Sequence, residues 1–75
     1  KLMATLDVVS EVTGTVWKIE AQVGQELGPD DIVLVIESMK MEIPIVAPEA
    51  GIVQEILVQE ADMIHEGAPV ARLEV

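Results

Sequence analysis

The 75-residue chain contains no cysteine, phenylalanine or tyrosine, and it has a single tryptophan. The absence of cysteine excludes disulfide bonds and thiolate metal sites. With so few aromatic residues, any core must be built from valine, isoleucine, leucine and methionine. A chain of this length is expected to form one small domain over residues 1–75, which would bury only about 60% of its unfolded surface.

Basic side chains are scarce as well. Four lysine and arginine residues stand against 14 acidic ones, which gives a formal net charge of −10 at pH 7. Because phosphate binding needs clustered positive charge, this balance argues against a nucleic-acid partner. An acidic surface favours solubility, and it can also steer a protein towards basic clefts on its partners.

Long apolar runs and recognisable catalytic groupings are also missing. No stretch approaches the ~20 apolar residues that span a bilayer, and no signal-peptide pattern opens the chain. We therefore expect a cytoplasmic monomer without a membrane partner. The chain has no Gly-rich phosphate loop and no nucleophile beside a base, and its only histidine, His65, has no cysteine partner. These features predict a non-catalytic protein without a metal site.

Short runs of β-branched residues separated by turn signals dominate the chain, and no segment has a convincing helical period. Gly14 predicts a bend or bulge before one of these runs, in which alternation would place Trp17, Ile19 and Ala21 on one face. Pro44 cannot donate to a strand ladder, which predicts an edge or an unpaired position. The main predicted strands are Thr5–Val9, Thr15–Ala21, Ile32–Ile36, Ile43–Val46 and Pro69–Val75.

The sequence is internally doubled. A shift of 37 positions overlays the two halves without a gap and aligns Gly14 with Gly51 and Val16 with Val53. Two pseudo-repeats, at about 8–37 and 45–74, indicate one supersecondary unit used twice. We therefore predict an all-β fold of roughly eight short strands in two small facing antiparallel sheets, with quasi-two-fold symmetry.

Between the two central runs lies the segment Glu37-Ser38-Met39-Lys40-Met41-Glu42, where the chain must turn without Gly, Asn, Asp or Pro. A two-residue turn at Met39-Lys40 requires positive φ at both positions. It also sets Glu37 opposite Glu42, where like charges repel. The residues of this segment thus disfavour the turn that they must form, as expected where function has selected the residues. The alternative is a solvated lysine with methionines that anchor the hairpin base.

This segment resembles the attachment motif of biotin carboxyl carrier domains, in which a lysine between two methionines is biotinylated. Met39-Lys40-Met41 match the motif, Glu37 flanks the hairpin three positions before the lysine, and Ser38 replaces the usual alanine. Residues 47–51, Ala-Pro-Glu-Ala-Gly, are also typical of the family. The resemblance extends over nearly the whole chain, from about Val8 to Val75.

The resemblance implies a flattened barrel-sandwich hybrid that displays the modified lysine on a β-hairpin tip. Some carboxylase carriers have an additional protruding thumb, but the joint near residues 21–24 is too short for one. The chain therefore resembles the thumbless type, close to the free-standing biotin/lipoyl attachment proteins.

The same resemblance implies a function at Lys40, to which a biotin protein ligase would attach biotin covalently, with Met39 and Met41 recognised by the ligase. The biotin would then carry a carboxyl group between biotin carboxylase and carboxyltransferase sites of a carboxylase or decarboxylase system. A solvent-exposed lysine is almost fully protonated at pH 7, which suits a substrate of another enzyme better than a catalyst. Lipoyl hairpins are similar but generally have Asp before and Ala after the lysine. A lipoyl carrier and an unmodified structural module are the alternatives.

Overall fold

The structure, a computed structural model, describes residues 4–75. Eight strands account for the regular structure in this range, and the predicted strands are all present within a few residues of their expected bounds. Residues 4–75 include no helix with the length and apolar character needed to cross a membrane. The strands are β1 (Thr5–Val9), β2 (Gly14–Ile19), β3 (Glu26–Leu27), β4 (Ile32–Ser38), β5 (Met41–Val46), β6 (Gly51–Ile56), β7 (Met63–Ile64) and β8 (Pro69–Glu74).

The strands form two four-stranded antiparallel sheets. The first sheet has the order β1-β8-β6-β3, and the second has the order β5-β4-β2-β7. Exchanging β1–β4 with β5–β8 in order converts one sheet into the other, so the two halves of the chain are related by a quasi-two-fold axis. The predicted all-β fold of two small sheets is confirmed.

Aliphatic side chains from both sheets fill the space between them. Each fully buried side chain of this size contributes about 1.5–3 kcal/mol to stability through the hydrophobic effect. Because the core has no large aromatic ring, this stabilisation is distributed over many branched side chains. The largest fully buried hydrophobic ones are Leu34, Ile36, Leu73, Val16, Val33, Val53 and Val70.

Trp17 departs from the predicted alternation. The register of β2 against β4 shifts between Val16 and Lys18, so Trp17 is the extra residue of a β-bulge. Its side chain is 49% exposed. The predicted alternation, which places Trp17 on one face with Ile19 and Ala21, is therefore wrong at this residue, because the bulge breaks the two-residue period.

Gly14 has a different role from the predicted bulge. It begins β2, where a Cβ atom would lie 2.5 Å from the carbonyl oxygen of Glu37. Glycine is needed because the backbones of β2 and β4 approach closely at this point. Its equivalent, Gly51, makes the same kind of approach to Glu74, with a distance of 2.8 Å.

The β4–β5 hairpin runs away from the end of the molecule where Ala4 and Val75 lie. The backbones of Ala4 and Val75 exchange hydrogen bonds of 3.2 and 2.9 Å, and Gly51 contacts Val75 in the same region. Asp31, which precedes β4, accepts a backbone hydrogen bond of 2.8 Å from Ala47, which lies shortly before Gly51 in the chain, so β4 begins near this end. It extends about 20 Å to the hairpin tip, at roughly 3.3 Å per residue. The molecule measures 40 × 17 × 17 Å, so the tip and the Ala4–Val75 pair occupy opposite poles.

Candidate functional site

The hairpin tip is a two-residue turn formed by Met39 and Lys40. Their φ angles are 54° and 65°, so both residues adopt the left-handed conformation that such a turn requires. Neither is glycine, and each side chain in this conformation costs on the order of 1 kcal/mol. The predicted conflict between the turn and its sequence is confirmed.

The side chains of the tip project into solvent. Met39 is 92% exposed and Met41 is 64% exposed, and Lys40 is exposed between them. Side chains this accessible do not anchor a hairpin base, which excludes the alternative role for the methionines. The tip therefore presents two flexible apolar side chains on either side of an amine, a combination suited to contact with another protein.

Two carboxylates lie just behind the tip. Glu37 pairs directly with Glu42 across β4 and β5, and both side chains are exposed. Among residues 4–75, no carboxylate oxygen forms an ion pair within 4.0 Å with the Lys40 ammonium. The Lys40 amine is accordingly free to enter a foreign active site without first breaking a salt bridge.

Ser38 connects the hairpin to the loop between β1 and β2. Its Oγ donates a hydrogen bond of 2.9 Å to the carbonyl oxygen of Thr13. The Thr13 Oγ1 in turn accepts a hydrogen bond of 2.9 Å from the backbone N–H of Glu66. We call the end of β4 at Ser38 the hairpin stem. These hydrogen bonds connect the stem to the β1–β2 loop and, through Thr13, to the loop after β7. Sequence reasoning missed this role, because nothing near Ser38 in the sequence indicates a partner 25 positions away.

The outer strand of the hairpin is an edge strand, as the proline in it predicts. Pro44 lies in β5, at the edge of the second sheet, and pairs only with Val35. Its missing N–H weakens this edge as a template for a further strand. Recognition of the hairpin is therefore expected to depend on side chains more than on strand addition.

Taken together, the four residues predicted for the site lie within one hairpin tip: Glu37, Met39, Lys40 and Met41. The described residues contain no group of three or more His, Cys, Asp or Glu side chains suited to a metal ion. His65 is exposed at the turn before β8. What this arrangement offers chemically is a primary amine that can be acylated once another active site has removed its proton.

Comparisons with known proteins agree with this geometry. Residues 7–73 match the family model described as "Biotin-requiring enzyme". The chain is 40% identical over 62 residues to the biotin/lipoyl attachment protein of Bacillus subtilis, covering 83% of this chain and 85% of that protein. It is 38% identical over 65 residues to the biotinylated protein TB7.3 homolog of Mycobacterium leprae, covering 87% of this chain and 92% of that protein.

A solved structure shares the architecture as well as the sequence. The chain superposes on part of the Kluyveromyces lactis urea carboxylase with a TM-score of 0.90 and 36% identity. This match covers 97% of the chain and 6% of the much longer carboxylase. The eight-stranded sandwich, the lysine hairpin and these matches together show that the chain belongs to the biotin/lipoyl attachment family, whose domains are carrier modules and not catalysts.

Proposed function

We propose that this domain is a biotin carboxyl carrier that is modified at Lys40. The observation that supports the proposal most directly is the exposed Met39-Lys40-Met41 tip, held in a turn that its residues do not favour. A turn chosen for stability would have Asn-Gly at this place. The Lys40 side chain also has room around it for a cofactor, since it is exposed and forms no ion pair with any of residues 4–75.

In the proposed modification, a biotin protein ligase supplies biotinyl-adenylate and the Lys40 Nζ attacks its acyl carbon. An amide bond forms, AMP leaves, and the proton lost from the amine passes to a base of the ligase. At this step the chain positions the Lys40 amine, and the ligase performs the catalysis. The tied stem holds the amine, and the exposed methionines offer the ligase an apolar contact.

Once attached, biotin supplies the atom that carries the carboxyl group. The protein then has to move the group between a biotin carboxylase site and a carboxyltransferase site, and a tip at one pole of a 17 Å-wide domain can enter a narrow cleft. Tethering would raise the local concentration of the group to the millimolar range for short flexible links. The match to part of a urea carboxylase supports partners of this kind.

A lipoyl carrier is the second candidate function, because the Bacillus subtilis relative is named for both cofactors. Two observations favour biotin over lipoate. Lys40 has methionine on both sides, whereas lipoyl hairpins generally have Asp and Ala there. The Mycobacterium leprae relative is named as a biotinylated protein.

Co-expression with a biotin protein ligase or with a lipoate ligase, followed by intact-mass measurement, tests the proposal. We expect a biotinyl increment that disappears in Lys40→Arg and persists in Lys18→Arg. Lys18 is a suitable control because its side chain is 56% exposed on the same sheet. A lipoyl increment alone would establish the second candidate, and no increment with either ligase would indicate an unmodified structural module.

A further inference from the structure

The quasi-two-fold axis gives the molecule two outer sheet faces with similar backbones and different chemistry. On the first sheet, Arg72 lies in register between Asp7 and Glu55 on the neighbouring strands. Its guanidinium group lies 3.2 Å from a carboxylate oxygen of each. This face is a row of exposed ion pairs, which suits contact with water.

On the second sheet the equivalent row is largely apolar. Val35 takes the place of the arginine and lies in register between Pro44 and Lys18. It alternates along β4 with the inward-facing Leu34 and Ile36, so its side chain faces outward. Val35 is nevertheless only 8% exposed and lies outside the core cluster, so neighbouring side chains on the outer face cover it.

Two exposed apolar side chains enlarge this region. The bulge residue Trp17 is 49% exposed, and its equivalent in the other half of the chain is Gln54. Met63 in β7 is 71% exposed, and its equivalent is Glu26. We call this surface the outer patch. Its exposed side chains are those of Trp17, Pro44 and Met63, and the nearly buried Val35 lies in register beside Pro44.

The outer patch is continuous with the lysine hairpin. Thr15 pairs with Met63 on one side and with Glu37 on the other, and Glu37 pairs with Glu42. This row runs across the sheet from Met63 of the outer patch to Glu42, beside the Met39-Lys40 turn. The apolar surface therefore reaches the modification site through a strip that carries two negative charges.

We propose that the outer patch is the surface on which the ligase that acylates Lys40 docks, through an apolar area flanked by basic side chains. The inference rests on the proposed function. A ligase must select the chain before any cofactor is attached, whereas later enzymes can also bind the cofactor itself. The three residues of the tip offer little area for that selection, so a neighbouring surface has to supply the rest.

The composition of the patch specifies the chemistry of its partner. Tryptophan is the residue type most enriched among the side chains that dominate binding energy at interfaces. The strip formed by Glu37 and Glu42, on a chain with a net charge of −10, requires a partner surface of opposite sign. The other outer face has no tryptophan, although its equivalent row also contains two acidic residues, Glu26 and Glu74. Its arginine, Arg72, is already paired with Asp7 and Glu55 within the sheet.

Steady-state biotinylation of Trp17→Gln by a bacterial biotin protein ligase with ATP and biotin tests the inference. Glutamine already occupies the equivalent bulge as Gln54, so the variant should keep the fold, which the thermal midpoint will verify. We expect KM for the carrier to rise about tenfold with kcat nearly unchanged, the result of removing a contact used equally in the ground and transition states. Met63→Glu, which copies Glu26 of the other half, should act in the same direction.

Gln54→Ala on the opposite face is the matched control and should leave KM unchanged. Equal KM values for Trp17→Gln and the parent chain would overturn the inference. So would a loss of self-association in Trp17→Gln, measured by sedimentation, without a change in KM, because the patch would then bind a second copy. A defect confined to later carboxylation would assign the patch to another enzyme and would also overturn it. Failure of the parent chain to be modified at all would instead refute the proposed function.

Discussion

Glu37 lies directly opposite Glu42 on the lysine hairpin, whereas the equivalent of Glu37 in the other half of the chain, Glu74, lies opposite Thr5. The same fold thus contains one strand pair with facing like charges and one without. The like-charge pair occurs at the functional hairpin, beside a turn whose residues also oppose its conformation. The facing charges and the unfavourable turn residues both lower the stability of this hairpin.

Replacing Glu42 with threonine, the residue at the equivalent position of the other half, should stabilise the domain. The facing charges cost a few tenths of a kcal/mol, so the free energy of unfolding should rise by roughly that amount. Urea denaturation at low salt is the appropriate measurement. The gain should shrink in high salt, because surface charges are then screened. A gain independent of salt, or a loss, would show that charge repulsion is not the cause.

A Met39→Asn variant should be more stable and a poorer substrate. Asparagine tolerates the left-handed conformation better than methionine, so we expect a gain of up to about 1 kcal/mol in the free energy of unfolding. The rate of biotinylation should fall because an apolar contact is lost. The matched control is Met41→Gln, which removes the other methionine at a position without positive φ. It should slow labelling without changing stability, and unchanged rates in both variants would contradict a role in recognition.

A Ser38→Ala variant should loosen the hairpin stem. It removes the hydrogen bond to the Thr13 carbonyl, a type of bond that contributes about 0.5–1.5 kcal/mol. Because the carbonyl is at the surface and water can replace the hydroxyl, the loss should lie at the lower end of that range. Amide hydrogen exchange should accelerate in the β1–β2 loop and at the end of β4. If these amides exchange only through global unfolding in both the variant and the parent chain, the hydrogen bond does not order the stem.

Gly14→Ala should be strongly destabilising, and Gly28→Ala should not. A Cβ atom at position 14 would lie 2.5 Å from a backbone oxygen, so the strands would have to separate at a cost of about 1–3 kcal/mol. At position 28 the nearest atom, Oδ2 of Asp31, is at an ordinary 3.6 Å. Comparison of the two midpoints in urea isolates the steric effect. Equal midpoints would mean that β2 and β4 can move apart freely.

Much of the fold and the site geometry could be predicted because their signals are local. β1 was predicted at its observed bounds, and the turn at Met39-Lys40 follows from the two apolar runs that flank it. The bulge at Trp17 could not be predicted, because it depends on how β2 registers against β4. The Ser38–Thr13 hydrogen bond could not be predicted either, because it joins distant parts of the chain. The roles of Met39 and Met41 in recognition stay predictions.

The Ala4–Val75 pair has a practical consequence for handling the molecule. A linker that joins Val75 to a bead or sensor surface would leave from the pole opposite Lys40, in a molecule 40 Å long. An immobilised domain would therefore be held at the end opposite its amine. Enzymes could be assayed on such a layer without the support blocking their approach.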